Sequence, residues 1–162
     1  MLSRFDGDQM AGYWFIVNDG VMGGRSSSTV TFPGDEMSWS GEIDTNGGGF
    51  ASLRAGLAPG VLAGSGAVRV AARHDGRAYE LLLGAPSSRV TYYGALRFGE
   101  PDAAGISVAR VDFDTLEARI FGTAVDAGPF RADVAATIGV ILADGTDGSF
   151  ALDLVRIDRC NA

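Results

Sequence analysis

The chain has no lysine, one histidine and one cysteine among its 162 residues, and each shortage removes a class of chemistry. A lone cysteine, Cys160, cannot form an intrachain disulfide, so a hydrophobic core must hold the fold and a reducing compartment is expected. No nearby base or helix N-terminus lowers the pKa of Cys160, so it is not expected to act as a nucleophile. His74 cannot belong to a histidine cluster, and beside a turn it reads as an exposed polar residue rather than a general base. No GxSxG, HExxH, CxxC or GxxxxGK[ST] motif is present, so neither a catalytic residue, a cofactor nor a transition-metal site is expected. Apolar runs are short. The longest, such as 138–143, have the length of a strand, far below the ~20 residues a membrane-spanning helix needs.

What is abundant is acid. Twenty Asp and Glu face thirteen bases, all arginine, for a net charge of −7. That field repels phosphate backbones and anionic lipid, so nucleic acid is excluded as an expected partner. Asp6, Asp8 and Gln9 stand where a secretory signal would need an apolar stretch, and a mitochondrial presequence would be rich in arginine and nearly free of acids. The expected compartment is therefore a bacterial cytoplasm, with any association to the inner membrane made through a partner.

Glycine is the main punctuation, at 24 residues. Between the glycines lie short segments of period-2 patterning, the signature of strands rather than helices. Val68, Val70 and Ala72 share one face of a strand over Ala67–Arg73. Phe150, Leu152 and Leu154 share one face of another, after which Val155 and Ile157 take the opposite phase and predict a β-bulge or a strand end covered on both faces near Leu154. Eight further strands are expected over Tyr13–Asn18, Ser27–Phe32, Glu36–Asp44, Phe50–Leu53, Ala78–Leu83, Val90–Phe98, Ser107–Phe113 and Thr137–Leu142. Thr115–Phe121 and Arg131–Ala136 allow a short helical turn each. Asp75-Gly76, and Asp144-Gly145 with Asp147-Gly148, read as hairpin turns. Many short strands with glycine-rich connections define an all-β domain spanning 1–162, a two-sheet sandwich or barrel.

Paired acids for a hydrolase or lyase are not excluded by counting, but most Asp residues adjoin glycine, where turn chemistry accounts for them. Asp144 and Asp147 lack the ligand spacing of an EF-hand, so calcium there is only a weak reading.

Three segments combine polar, aromatic and glycine residues in ways a core does not require. They are WFIVNDGVMGGRSSS (Trp14 to Ser28), WSGEIDTNGGGFASLR (Trp39 to Arg54) and RHDGRAYELLL (Arg73 to Leu83). In this order and spacing they resemble the complex I intermediate-associated protein 30 family, with its NDxVMGGxS, GGFAS and DGRxY segments. The similarity continues through VARVDFDTLE and IGVILADGTDGSFALDLVRI. It departs at His74, where the pattern has glycine, and is loose over Phe113 to Gly128.

The resemblance implies an antiparallel jelly-roll sandwich, galactose-binding-domain-like, without a shared catalytic residue. It marks Asn18, Asp19, Met22, Gly23, Gly24, Ser26, Gly48, Gly49, Arg54, Asp75, Arg77 and Tyr79 as candidates for ligand or partner binding. Asp19, Arg54 and Arg77 stand equally as residues that pair with one another to brace loops. Phe50 and the ring of Tyr79 are expected in the core, and Trp14 and Trp39 are expected to be buried. The implied function is a non-enzymatic binding or assembly-factor domain whose partner is a protein, by resemblance a respiratory-complex subunit or assembly factor. A carbohydrate-binding module is the alternative, and oligomeric state is left open.

Overall fold

The computed structural model describes residues 3–4 and 14–162. Among these it contains thirteen strands. They are β1 (Ser3–Arg4), β2 (Trp14–Asn18), β3 (Ser27–Thr31), β4 (Met37–Ile43), β5 (Ala51–Gly56), β6 (Ser65–His74), β7 (Tyr79–Gly84), β8 (Thr91–Ala95), β9 (Ser107–Asp112), β10 (Glu117–Ile120), β11 (Thr123–Ala124), β12 (Thr137–Leu142) and β13 (Gly148–Asn161). Single 3-10 turns cover Asp19–Met22, Phe113–Thr115 and Ala132–Val134. Tyr13, Asp6, Asp8 and Gln9 lie outside the described residues, and no described helix is long and apolar enough to cross a membrane.

The strands form two antiparallel sheets. One runs β3-β4-β13-β6-β9, with β1 also on β13, and the other runs β11-β10-β8-β7-β12-β5-β2. Alternation explains how they close on each other. In β13, Phe150, Leu152 and Leu154 face inward, and a register shift between Leu154 and Arg156 lets Ile157 face inward too. The phase change in the sequence is thus a β-bulge. Opposite them, Leu53, Leu81, Leu83, Val140 and Leu142 close the core from the second sheet. Trp39 is fully buried, its ring edge-on to Phe150 at 4.7 Å, and Trp14 is buried as well.

Some expectations need correcting. Asp75-Gly76 does not join a hairpin, because β6 belongs to one sheet and β7 to the other. The 143–147 connection likewise carries the chain from β12 to β13 across the layers. Asp-Gly supplies the positive φ, 86° at Gly76, that a sharp reversal needs, and a reversal between layers needs it as much as one within a sheet. Part of Thr115–Phe121 is strand β10, between β11 and β8, rather than a helical turn, and β1, β10 and β11 were not anticipated. At two to four residues they are too short to show a period.

Candidate functional site

The register of the two sheets brings the connections 19–26, 44–50, 75–78 and 143–147 to one end of the sandwich, where Asn18 pairs with Ala51, Leu142 with Ala51 and Tyr79, and Gly148 with Ile43. Most of the candidate residues meet there. They form two hydrogen-bonded clusters.

The first is built on Asp19, which is 0% exposed. Its Oδ1 accepts from the Ser26 N–H at 2.9 Å, and its Oδ2 accepts from the Ser26 hydroxyl at 2.6 Å and from the N–H groups of Gly49 at 2.7 Å and Phe50 at 3.3 Å. Burial alone would raise this carboxyl, but the Ser26 hydroxyl and the N–H groups of Gly49, Ser26 and Phe50 outweigh it and hold the pKa below the ordinary value. Among the described residues no cation pairs with this carboxylate, which is stabilised by donors whose positions the backbone sets.

The adjacent glycines follow from this. A Cβ on Gly24 would stand 2.3 Å from the Asp19 Cγ, and one on Gly48 would stand 2.7 Å from the Asp19 Cβ. Gly23 takes φ 83° and ends the turn, its N–H donating to the Gly20 carbonyl. Gly49 takes φ 135°, which brings its N–H to the carboxylate. Asn18 accepts a bond from the Ser28 hydroxyl at 3.0 Å.

The second cluster joins Asp75, Arg77, Tyr79 and Asp144. Arg77 donates to Asp144 from Nε at 3.0 Å and from Nη2 at 2.7 Å, and it also donates to the carbonyls of Thr146, Gly148 and Ser149. Its hydrogen bond to Asp144 raises its pKa. Burial pushes Asp144 up, but the Arg77 guanidinium and the Thr146 N–H hold it below the ordinary carboxylate value. Asp75 accepts from the Arg77 N–H, the Tyr79 hydroxyl at 3.0 Å and the Ala151 N–H at 2.8 Å. The Tyr79 ring lies in the core, and burial, with the neighbouring Asp75, raises its hydroxyl pKa far above the ordinary value. The connections 44–50 and 143–147 that carry the two clusters are joined by the Thr45 N–H, which donates to Asp147 at 2.7 Å.

The mutual pairing of Asp19, Arg54 and Arg77 does not occur. Asp19 is satisfied by backbone and serine donors, Arg77 by Asp144, and Arg54 lies on the outward face of β5, in register with Phe15 on one side and Gly139 on the other. The calcium reading of Asp144 fails for the same reason, since the guanidinium occupies its oxygens. Among the described residues no group of three or more His, Cys, Asp or Glu is arranged to hold a metal ion. Phe50 precedes β5, is half-buried and lies outside the core cluster. His74 is exposed, stacks on Phe98 at 4.6 Å and accepts the Gly76 N–H.

With Asp19 holding it from below, the 3-10 turn projects Val21 and Met22 into solvent, at 77% and 59% exposure. Of the candidates at this end, Met22 is the one whose side chain the clusters do not use. The sequence reading passed over Tyr93, Ser52 and Gly139, which share the outward face with Arg54. A glycine inside the apolar run 138–143 was the available signal, because glycine in a central strand marks close approach by a neighbour.

This two-layer arrangement is a galactose-binding-domain-like jelly roll, the fold of family 11 carbohydrate-binding modules. One such module from Clostridium thermocellum, in complex with a β-1,3-1,4-mixed-linked tetrasaccharide, aligns over 98% of this chain and 95% of its own at TM-score 0.66 and 15% identity. The module of the cellulosomal cellulase Lic26A-Cel5E of Clostridium thermocellum aligns over 100% and 96% at TM-score 0.68 and 15% identity. An exo-β-agarase matches at TM-score 0.55 and 11% identity, the chain covering 26% of that enzyme. No curated protein sequence matches. The chain belongs to the complex I intermediate-associated protein 30 family, whose model matches residues 3–154.

Proposed function

We propose that the chain is a non-catalytic binding domain that engages a protein partner through the loop end of the sandwich. One observation carries this reading: a buried carboxylate with four hydrogen bonds holds a turn whose two apolar side chains, Val21 and Met22, point into water. Exposed apolar groups on a braced turn lose little conformational entropy when a partner covers them. The family name adds the class of partner, a respiratory-complex assembly intermediate.

A photoreactive residue placed at position 21 or 22 tests the proposal in the native organism. A discrete adduct with the same protein at both positions, absent from a probe at exposed Arg89 beyond the opposite end of the sheet, is the expected result. Diffuse labelling that does not distinguish the two ends would remove it.

Carbohydrate binding is the second reading. It is favoured by a cavity of ≈ 200 Å³ lined by Tyr92, Phe130 and Ser88 among others, where the Tyr92 and Phe130 rings lie 5.3 Å apart. The tyrosine hydroxyl is spent on the Ala127 and Gly128 carbonyls, which leaves ring surface rather than donors for a sugar. Binding on a glycan array that Tyr92→Ala abolishes would favour this reading over the first.

A further inference from the structure

Away from the loop end, the outward face of the seven-stranded sheet holds two arginines in opposite circumstances. Arg119 on β10 donates to both oxygens of Glu80 at 3.1 Å and to Glu117 at 3.1 Å. Arg54 on β5 has no carboxylate among the described residues. Its one side-chain bond is from Nε to the Ser52 hydroxyl at 3.0 Å, and Ser52 itself donates to the Val17 carbonyl at 2.5 Å. The two terminal nitrogens of Arg54 have no acceptor in the described protein.

Its surroundings are built rather than incidental. Register places Phe15, Arg54, Gly139, Leu82 and Tyr93 in one row across β2, β5, β12, β7 and β8. A Cβ on Gly139 would stand 3.1 Å from the Arg54 Cγ and 2.6 Å from the Leu53 carbonyl oxygen, so the glycine makes room for the arginine stem to lie against β12. Leu82 points away from the core yet is 1% exposed, which floors the row with apolar carbon. Burial lowers the Arg54 pKa, with the nearby Tyr93 opposing it. The Tyr93 ring is fixed by Arg119, whose Cζ lies 4.6 Å from its centroid, and its hydroxyl has no acceptor among the described residues.

A planar guanidinium with two unspent nitrogens matches the two oxygens of a carboxylate, and the tyrosine hydroxyl supplies a further donor. A net charge of −7 disfavours a polyanion, and Arg119 is already spent, so the cation that this row of residues offers is Arg54. Phe15, opposite Arg54 and 51% exposed, offers a ring to an apolar body. We propose that this face binds a small molecule carrying one carboxylate on an apolar body, with Arg54 and the Tyr93 hydroxyl holding the carboxylate and Phe15 the apolar part. The surface is distinct from the Val21-Met22 turn, so this inference and the protein-partner reading fail separately.

The test is a titration of the 15N-labelled full chain with phenylacetate, read by amide shifts. Saturable shifts at residues 52–54, 82, 93 and 139 are expected, with phenylacetamide producing none. Arg54→Gln should weaken binding by roughly tenfold or more, since a charge-assisted pair is lost, while Arg89→Gln leaves it unchanged. Should Arg54→Gln fail to fold, the comparison of acid with amide on the native chain still decides. The proposal is overturned if phenylacetate gives no saturable shift, if the amide binds as well as the acid, or if folded Arg54→Gln binds normally. Equal binding of inorganic phosphate would overturn the carboxylate, and equal binding of glucuronate would overturn the apolar body.

Discussion

Arg77 and Arg54 both come from segments that carry the family pattern, and both are largely withdrawn from solvent, yet the fold treats them oppositely. Arg77 sits where two connections cross between sheets, and a carboxylate and three backbone carbonyls converge on it. Arg54 sits on a sheet face, where neighbouring strands have already paired their backbone groups and only side chains remain to answer a cation. The first guanidinium ties the sandwich shut. The second is left with donors to spare. Crossings are rich in unpaired backbone groups and so absorb charged residues, whereas an outer sheet face leaves a charge available to a ligand.

That contrast orders the effects of substitution. Asp19→Ala should have the largest, about 4 kcal/mol in urea unfolding, because it removes the acceptor of four buried or half-buried donors at once. Gly24→Ala should cost about 2 to 3 kcal/mol, since its methyl would overlap the Asp19 carboxylate and force the backbone to move. Arg77→Gln should cost about 2 kcal/mol, and a double-mutant cycle with Asp144→Asn should show coupling well above that of an exposed ion pair. Arg54→Gln should change stability by no more than about 1 kcal/mol in either direction, because it removes a desolvated charge that no carboxylate among the described residues compensates. A loss as large as that of Arg77→Gln would erase the distinction between the two regions. Val21→Ser with Met22→Ser should stay within about 0.5 kcal/mol, as expected of side chains that touch little of the fold.

Acid sharpens the same comparison. Asp19 and Asp144 have folded pKa values below the ordinary 3.8, so the stability they contribute is fully present above that value. It is lost as pH falls from there through the lower folded values, when the native state must take up protons it binds weakly. Unfolding midpoints should therefore drop below about pH 4, and Asp144→Asn should make the drop shallower.

Much of the strand framework was legible because alternation is a local property. Leu152 and Leu154 announce their face regardless of what packs on it, and even the bulge near Leu154 shows as a change of phase. The ends of the Asp-Gly connections were legible as sharp reversals. Their destination was not, since the same dipeptide serves a hairpin and a crossing between layers. The candidate residues of the loop end were visible as a motif, but their partners were not: Asp19 finds Gly49 thirty residues away and Arg77 finds Asp144 sixty-seven residues away. No spacing rule reaches that far.

The sequence by itself determined an all-β chain that closes no intrachain disulfide and builds no helix bundle, because composition and period-2 patterning act over a few residues and need no partner. Which arginine would be consumed and which left open was decided by tertiary structure alone. The energy of a buried charge depends on the groups that converge on it, and convergence is a property of the folded layers rather than of neighbours along the chain.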